Sequence, residues 1–118
     1  MDDLDTLVGD WLTLPDVAER LGTDVGKVRR MVQEGQLVAV RRGERNVWSV
    51  PTLMLGPEGL MPELRGTVSV LADAGYEGED AVRWLFTPDD SIVGGSPIGA
   101  LHAGHKTEVR RRAQALAV

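Results

Sequence analysis

Apolar residues recur at helical spacing early in the chain. Leu14, Val17, Ala18 and Leu21 fall at i, i+3, i+4 and i+7, which makes a single stripe. Thr13 stands where an N-cap is needed, Pro15 suits a first turn, and Asp16 and Glu19 favour the positive end of the helix dipole. Gly22 follows as a stop, because the left-handed conformation costs glycine little. The pattern predicts a short helix within 11–22. A second stripe, Val25, Val28, Met31 and Val32, predicts a helix over 24–34, with Thr23 as its expected cap and Gly35 as its stop. Lys27, Arg29 and Arg30 fall off this stripe and face solvent or a ligand. The period then changes. Two β-rich runs, at 37–42 and 46–50, surround a turn containing Gly43 and read as a hairpin. Alternation in the second run puts Val47 and Ser49 on one side and Trp48 and Val50 on the other, and Pro51 ends it.

The second half reads as helical. Residues 52–59 hold Gly56, Pro57 and Gly59 and are expected to form a linker. A helix over 60–74 follows, with Leu60, Leu64, Thr67, Val68 and Leu71 on one side and Gly75 as the stop. Gly66 weakens that helix by up to ~1 kcal/mol relative to Ala. Ala81, Val82, Leu85 and Phe86 mark a helix at 79–86, broken at Thr87 and Pro88, and 91–95 reads as loop. Ser96 and Pro97 form a strong helix start, Gly104 interrupts, and 106–116 reads as a final helix. Residues 1–10 are expected to be a frayed, flexible acidic tail. The predicted fold is mostly α: a winged helix-turn-helix at 11–51 with a two-stranded wing, then a small helical domain at 60–118.

Net charge changes this picture by its distribution. The 118-residue chain carries −5 overall, yet 20–45 holds Arg20, Lys27, Arg29, Arg30, Arg41, Arg42 and Arg45 against Asp24, Glu34 and Glu44. That window is +4 and the remainder is −9. A polarised molecule presents one face to phosphate while its other side repels it. Helix, tight turn, helix and basic hairpin, in that order, point to double-stranded DNA as the partner. One helix enters the major groove, and the hairpin reaches a flanking phosphate or the minor groove. The expected DNA contacts are Thr23, Lys27, Arg29, Arg30, Arg41, Arg42 and Arg45.

Enzymatic chemistry finds little support. Cysteine is absent, which removes disulfides and thiolate metal sites. His102, His105 and Glu108 are spaced by threes, but Gly104 lies between the histidines and no third histidine exists, so no metal is expected. Asp89 and Asp90 read as cap and turn chemistry, and no cofactor loop follows Gly94 and Gly95. Trp11, Trp48 and Trp84 sit beside aliphatic residues and are expected to serve packing rather than base stacking. Arg110, Arg111 and Arg112 are expected to be solvated or paired with acids of the same tail. No run is long and apolar enough for a membrane span, the N-terminus is acidic, and a cytoplasmic, nucleoid-associated location is expected.

Two stretches resemble known families. Leu14-Pro15-Asp16-Val17-Ala18-Glu19-Arg20-Leu21-Gly22, with 28–37 (Val28-Arg29-Arg30-Met31-Val32 through Gly35 to Leu37), resembles MerR-like and excisionase-like winged helices. Those carry V-A-x-x-L-G before V-R-x-x-V-x-x-G-x-L. The resemblance implies DNA contact by Lys27, Arg29 and Arg30, with Arg41, Arg42 and Arg45 in or beside the wing. Gly26 departs from the pattern and supplies no side chain there. Ala81-Val82-Arg83-Trp84-Leu85-Phe86-Thr87-Pro88, then Gly94 to Leu101, resembles the C-terminal domain of Xre/MbcA/ParS-type antitoxins. This implies a toxin-binding or oligomer-forming role for Trp84, Leu85, Pro97, Leu101 and Val109. The two together are similar to an actinobacterial family of winged-helix DNA-binding proteins whose mycobacterial member is a Ser/Thr-kinase substrate. That likeness implies a kinase acting on the N-terminal tail, with Thr6 in an acidic frame as its candidate. The rival functional reading is a protein-interaction module that works through its C-terminal half, as a homodimer or with another protein.

Overall fold

The structure is a computed structural model that describes residues 3–117. Helix α1 (Asp3–Val8) opens the chain, followed by strand β1 (Trp11–Thr13), helix α2 (Leu14–Leu21) and helix α3 (Val25–Gln33). Strands β2 (Val40–Arg42) and β3 (Val47–Pro51) come next. A 3-10 turn at Thr52–Met54 leads into strands β4 (Leu55–Gly56) and β5 (Gly59–Leu60). Helices α4 (Pro62–Asp73), α5 (Glu79–Phe86), α6 (Pro97–His102) and α7 (Lys106–Ala115) complete the described chain. The fold is mostly helical, as the patterning predicts, with two small antiparallel sheets. Among the described residues, no helix is long and apolar enough to cross a membrane.

Within the expected flexible tail, whose first two residues lie outside the described ones, Asp3–Val8 is instead a helix docked on the body. Leu4 has no exposed surface and Val8 is buried, because α1 packs against α5. An i, i+4 pair of aliphatics outweighs the acidic composition around it. Thr6 lies on the exposed side of α1, within a helix rather than a frayed tail.

Trp11-Leu12-Thr13 is also not the start of a helix. It pairs with β3, so the wing sheet has three strands in the order β1-β3-β2. Thr13 then caps α2 as expected, its hydroxyl accepting from the Asp16 N–H at 3.3 Å.

Alternation assigns the two faces of this sheet. Trp11, Thr13, Val40, Arg42, Val47, Ser49 and Pro51 share one face by register, and Leu12, Arg41, Trp48 and Val50 share the other. On the first face Arg42 is 91% buried: its Nε donates to Asp5 Oδ1 at 2.9 Å, a terminal nitrogen donates to the same oxygen, and Glu79 lies 3.7 Å away. Its guanidinium also sits 5.0 Å from the centre of the Trp11 ring. One side chain thus joins the wing to α1 and α5. Helix α2 packs against β1 and β3, and Val50, on the second face, is fully buried.

The expected linker is structured. Met54, Leu55 and Met61 are buried, and the two glycines and proline make a tight β4–β5 hairpin instead of a flexible tether. One hydrophobic cluster runs from Leu4 and Val17 through Met54 to Leu64, Leu85 and Val109. In the C-terminal half, α4 packs on α7, and α6 packs on both α5 and α7. The Arg110 guanidinium lies over α4 at Gly66, where a Cβ would require that side chain to move.

Ser96 caps α6 by accepting from the Gly99 N–H at 3.1 Å. Gly94, at φ +94°, lies so close to α6 that an added Cβ would come within 2.7 Å of the Gly99 oxygen. Arg112 fixes the loop before it, donating to Glu108, Asp89, the Ser91 hydroxyl and the Ser91 carbonyl at 2.9–3.1 Å. The Ser91 hydroxyl and N–H, more than Arg112, hold the Asp89 carboxyl below its ordinary range. Arg112 does the same for Glu108.

The residues expected to meet a protein partner are mostly interior. Leu85, Leu101, Val109 and Pro97 are buried within the α5–α6–α7 packing, and only Trp84 keeps partial exposure, beside Thr87, Pro88 and Pro97. Packing within the chain accounts for their burial.

Two stability outcomes follow. Leu4→Ala is expected to cost about 2–5 kcal/mol, measured by urea unfolding, where a disposable tail would give no change. Gly94→Ala is expected to cost at least ~2 kcal/mol, because it combines positive φ with backbone overlap; the same assay reads it.

Candidate nucleic-acid interface

The interface is built on the α2–α3 pair. Leu14, Val17 and Ala18 bury one side of α2, and Val28 anchors α3 with no exposed surface. Three residues join the helices. Gly22 adopts the left-handed conformation at φ +69°, and its N–H and that of Thr23 return to carbonyls of the last turn of α2. Thr23 does not cap α3. Asp24 does, with its carboxylate accepting from the Lys27 N–H at 2.8 Å. Asp is as strong a cap as Thr, and the chain reaches helical geometry one residue later than its sequence suggests. Thr23 is left half-buried at the entry to α3.

Lys27, Arg29 and Arg30 are all exposed, on the side of α3 away from Val28. They have the reach and freedom to meet phosphates or base edges. Gln33 is exposed on the same outward surface, three residues after Arg30 and four after Arg29. Charge counting overlooks it, although its i+4 spacing from Arg29 was open to view, and a Gln amide is suited to bidentate adenine contact.

The wing divides the predicted arginines. Arg41 and Arg45 are exposed, Arg45 in the turn that closes with the Asn46 N–H donating to the Gly43 carbonyl at 3.1 Å. Arg42 is withdrawn from the candidate surface, since its guanidinium is spent on Asp5, Glu79 and Trp11. Neighbouring residues in a strand point to opposite faces, so two consecutive arginines cannot share one surface. The reverse holds for Trp48, which was expected to pack. It is 46% exposed, directly opposite Arg41, whose guanidinium lies 4.8 Å from the ring centre.

Arg111 and Arg112 pair with Glu108, and His102 Nε2 lies 2.6 Å from the Leu53 carbonyl oxygen, across the junction of the halves.

Comparison with known proteins matches this division of the chain. Residues 2–55 match the family model described as "DNA-binding protein Rv2175c, wHTH domain", and residues 61–117 match "Rv2175c C-terminal domain of unknown function". The chain is 41% identical to the DNA-binding protein Rv2175c of Mycobacterium tuberculosis, over 88% of this chain and 78% of that protein. The NMR structure of Rv2175c superposes with a TM-score of 0.82 at 38% identity, covering 92% of this chain and 82% of that one. With both halves matched in order and that identity across most of its length, the chain belongs to the Rv2175c family, whose N-terminal half is a winged helix-turn-helix domain.

Proposed function

We propose that this protein binds double-stranded DNA, with α3 in the major groove and the β2–β3 wing on the flanking backbone, and that it acts as a transcriptional regulator. The observation that carries the reading is the outward face of α3. Lys27, Arg29 and Arg30 stand exposed there, opposite a fully buried Val28, on a helix braced by α2. Cationic side chains gathered on a rigid helix, on a protein with a net charge of −5, favour one orientation toward a polyanion. Arg41 and Arg45 extend the positive surface onto the wing. Membership of a family described by a DNA-binding winged helix supports the same partner.

The test is a fluorescence-anisotropy titration of labelled duplex DNA at two salt concentrations. Arg29→Ala and Arg30→Ala are each expected to cost ~1–3 kcal/mol if the contact is to a base edge, and a phosphate contact is expected to lower the salt slope by about 1. Unchanged affinity in the double variant removes α3 from the reading. Arg42→Ala is expected to behave in the opposite way: the urea midpoint falls, while affinity at temperatures where the protein stays folded changes little. Narrow peaks of occupancy at promoters across the genome would support regulation, and broad coverage would argue for a nucleoid component instead.

A further inference from the structure

Trp48 is the feature that neither the core nor the charged face of α3 accounts for. An indole is expensive to leave in water, and the other two tryptophans are at least half-buried. Trp48 instead has 46% of its surface exposed, and its neighbour Val47 has 40%. Its position is fixed by register. Ser49 and Val50 behind it are buried, so the strand is anchored up to the point where the indole emerges. Arg41, directly across the ladder, lies against the ring and holds it without covering it.

The sheet's two faces decide where this pair points. Arg42 and its partners in α1 and α5 occupy the opposite face. Trp48 and Arg41 share the other face with Leu12 and the fully buried Val50, on a sheet whose β1 and β3 pack against α2. The indole is therefore carried on the face away from Arg42, on a strand that α2 packs against, with Arg41 beside it and the exposed Arg45 in the turn of the same hairpin.

We propose that Trp48 is an apolar wing contact to duplex DNA, packing on the deoxyribose and base edges next to the site read by α3, with Arg41 orienting the ring. This rests on the DNA-binding reading above and adds a residue that charge alone does not select. Sugar and base edges offer apolar surface framed by phosphate, which matches an exposed indole with a guanidinium against its ring. Such a contact releases no counterion, so it has a signature distinct from that of Arg29 and Arg30.

The experiment uses the full chain. Wild type, Trp48→Ala and Trp48→Phe are titrated with a labelled mixed-sequence duplex at two salt concentrations, and tryptophan emission is followed with unlabelled duplex. Trp48→Ala is expected to bind about tenfold more weakly with the salt slope of the wild type, and Trp48→Phe to keep most affinity while losing the DNA-induced change in emission. Trp48→Ala binding within about twofold of wild type overturns the proposal and leaves α3 as the reader. A loss accompanied by a shallower slope also overturns it, since the ring would then only be holding Arg41 on a phosphate. Absence of duplex binding by the wild type removes this proposal together with the reading beneath it.

Discussion

The pairing of β1 with β3 is the constraint on which the rest of the molecule depends. Only three residue pairs are involved, yet they turn a two-stranded wing into a sheet with two working faces. A lone hairpin is marginal in water, and a third strand with a buried face makes it persistent. Because β1 runs straight into α2 at the Thr13 cap, the strand also fixes the angle at which the helix-turn-helix leaves the sheet. The wing and the α2–α3 pair are thus joined through backbone hydrogen bonds of the sheet. A surface that must match the spacing of two grooves or of a groove and a phosphate wall needs that rigidity.

Helical elements were legible because each carried its own punctuation. The Thr13 cap, the Gly22 stop, the Ser96-Pro97 start and the boundaries at 79–86 all lie in local residues, and the structure agrees with them. What stayed hidden was non-local. Trp11-Leu12-Thr13 has no alternation long enough to announce a strand and becomes one only because β3 arrives 36 or more residues later in the chain. Asp3, Asp5 and Asp10 disguised α1 as a tail, although Leu4 and Val8 were already spaced for one buried side. Leu85, Leu101 and Val109 carry a partner-binding role only through a family resemblance, whereas in the structure all three are buried within the chain.

The candidate site shows the same division. On α3, where a single helix decides exposure, Lys27, Arg29 and Arg30 stand where periodicity put them. On the wing, composition misled: three arginines looked alike, but strand parity sends Arg42 inward and Arg41 outward. The positive surface is therefore smaller than the charge count of the basic window suggests, and more of its character comes from the indole beside Arg41. Arg42 gives up its own exposure to anchor the strand on which Arg41 and Trp48 are displayed.

The reach of Arg42 has a consequence for how the chain assembles. Its partners lie 37 residues before it and 37 after it, at Asp5 and Glu79. Contacts of that separation close large loops and form late, after local helices have already appeared. During synthesis the winged half leaves the ribosome first, with one side of its sheet still waiting for α5. The winged half is therefore completed by the half that follows it, and a fragment ending near residue 55 would keep the Asp5 contact but leave the Glu79 side of Arg42 open.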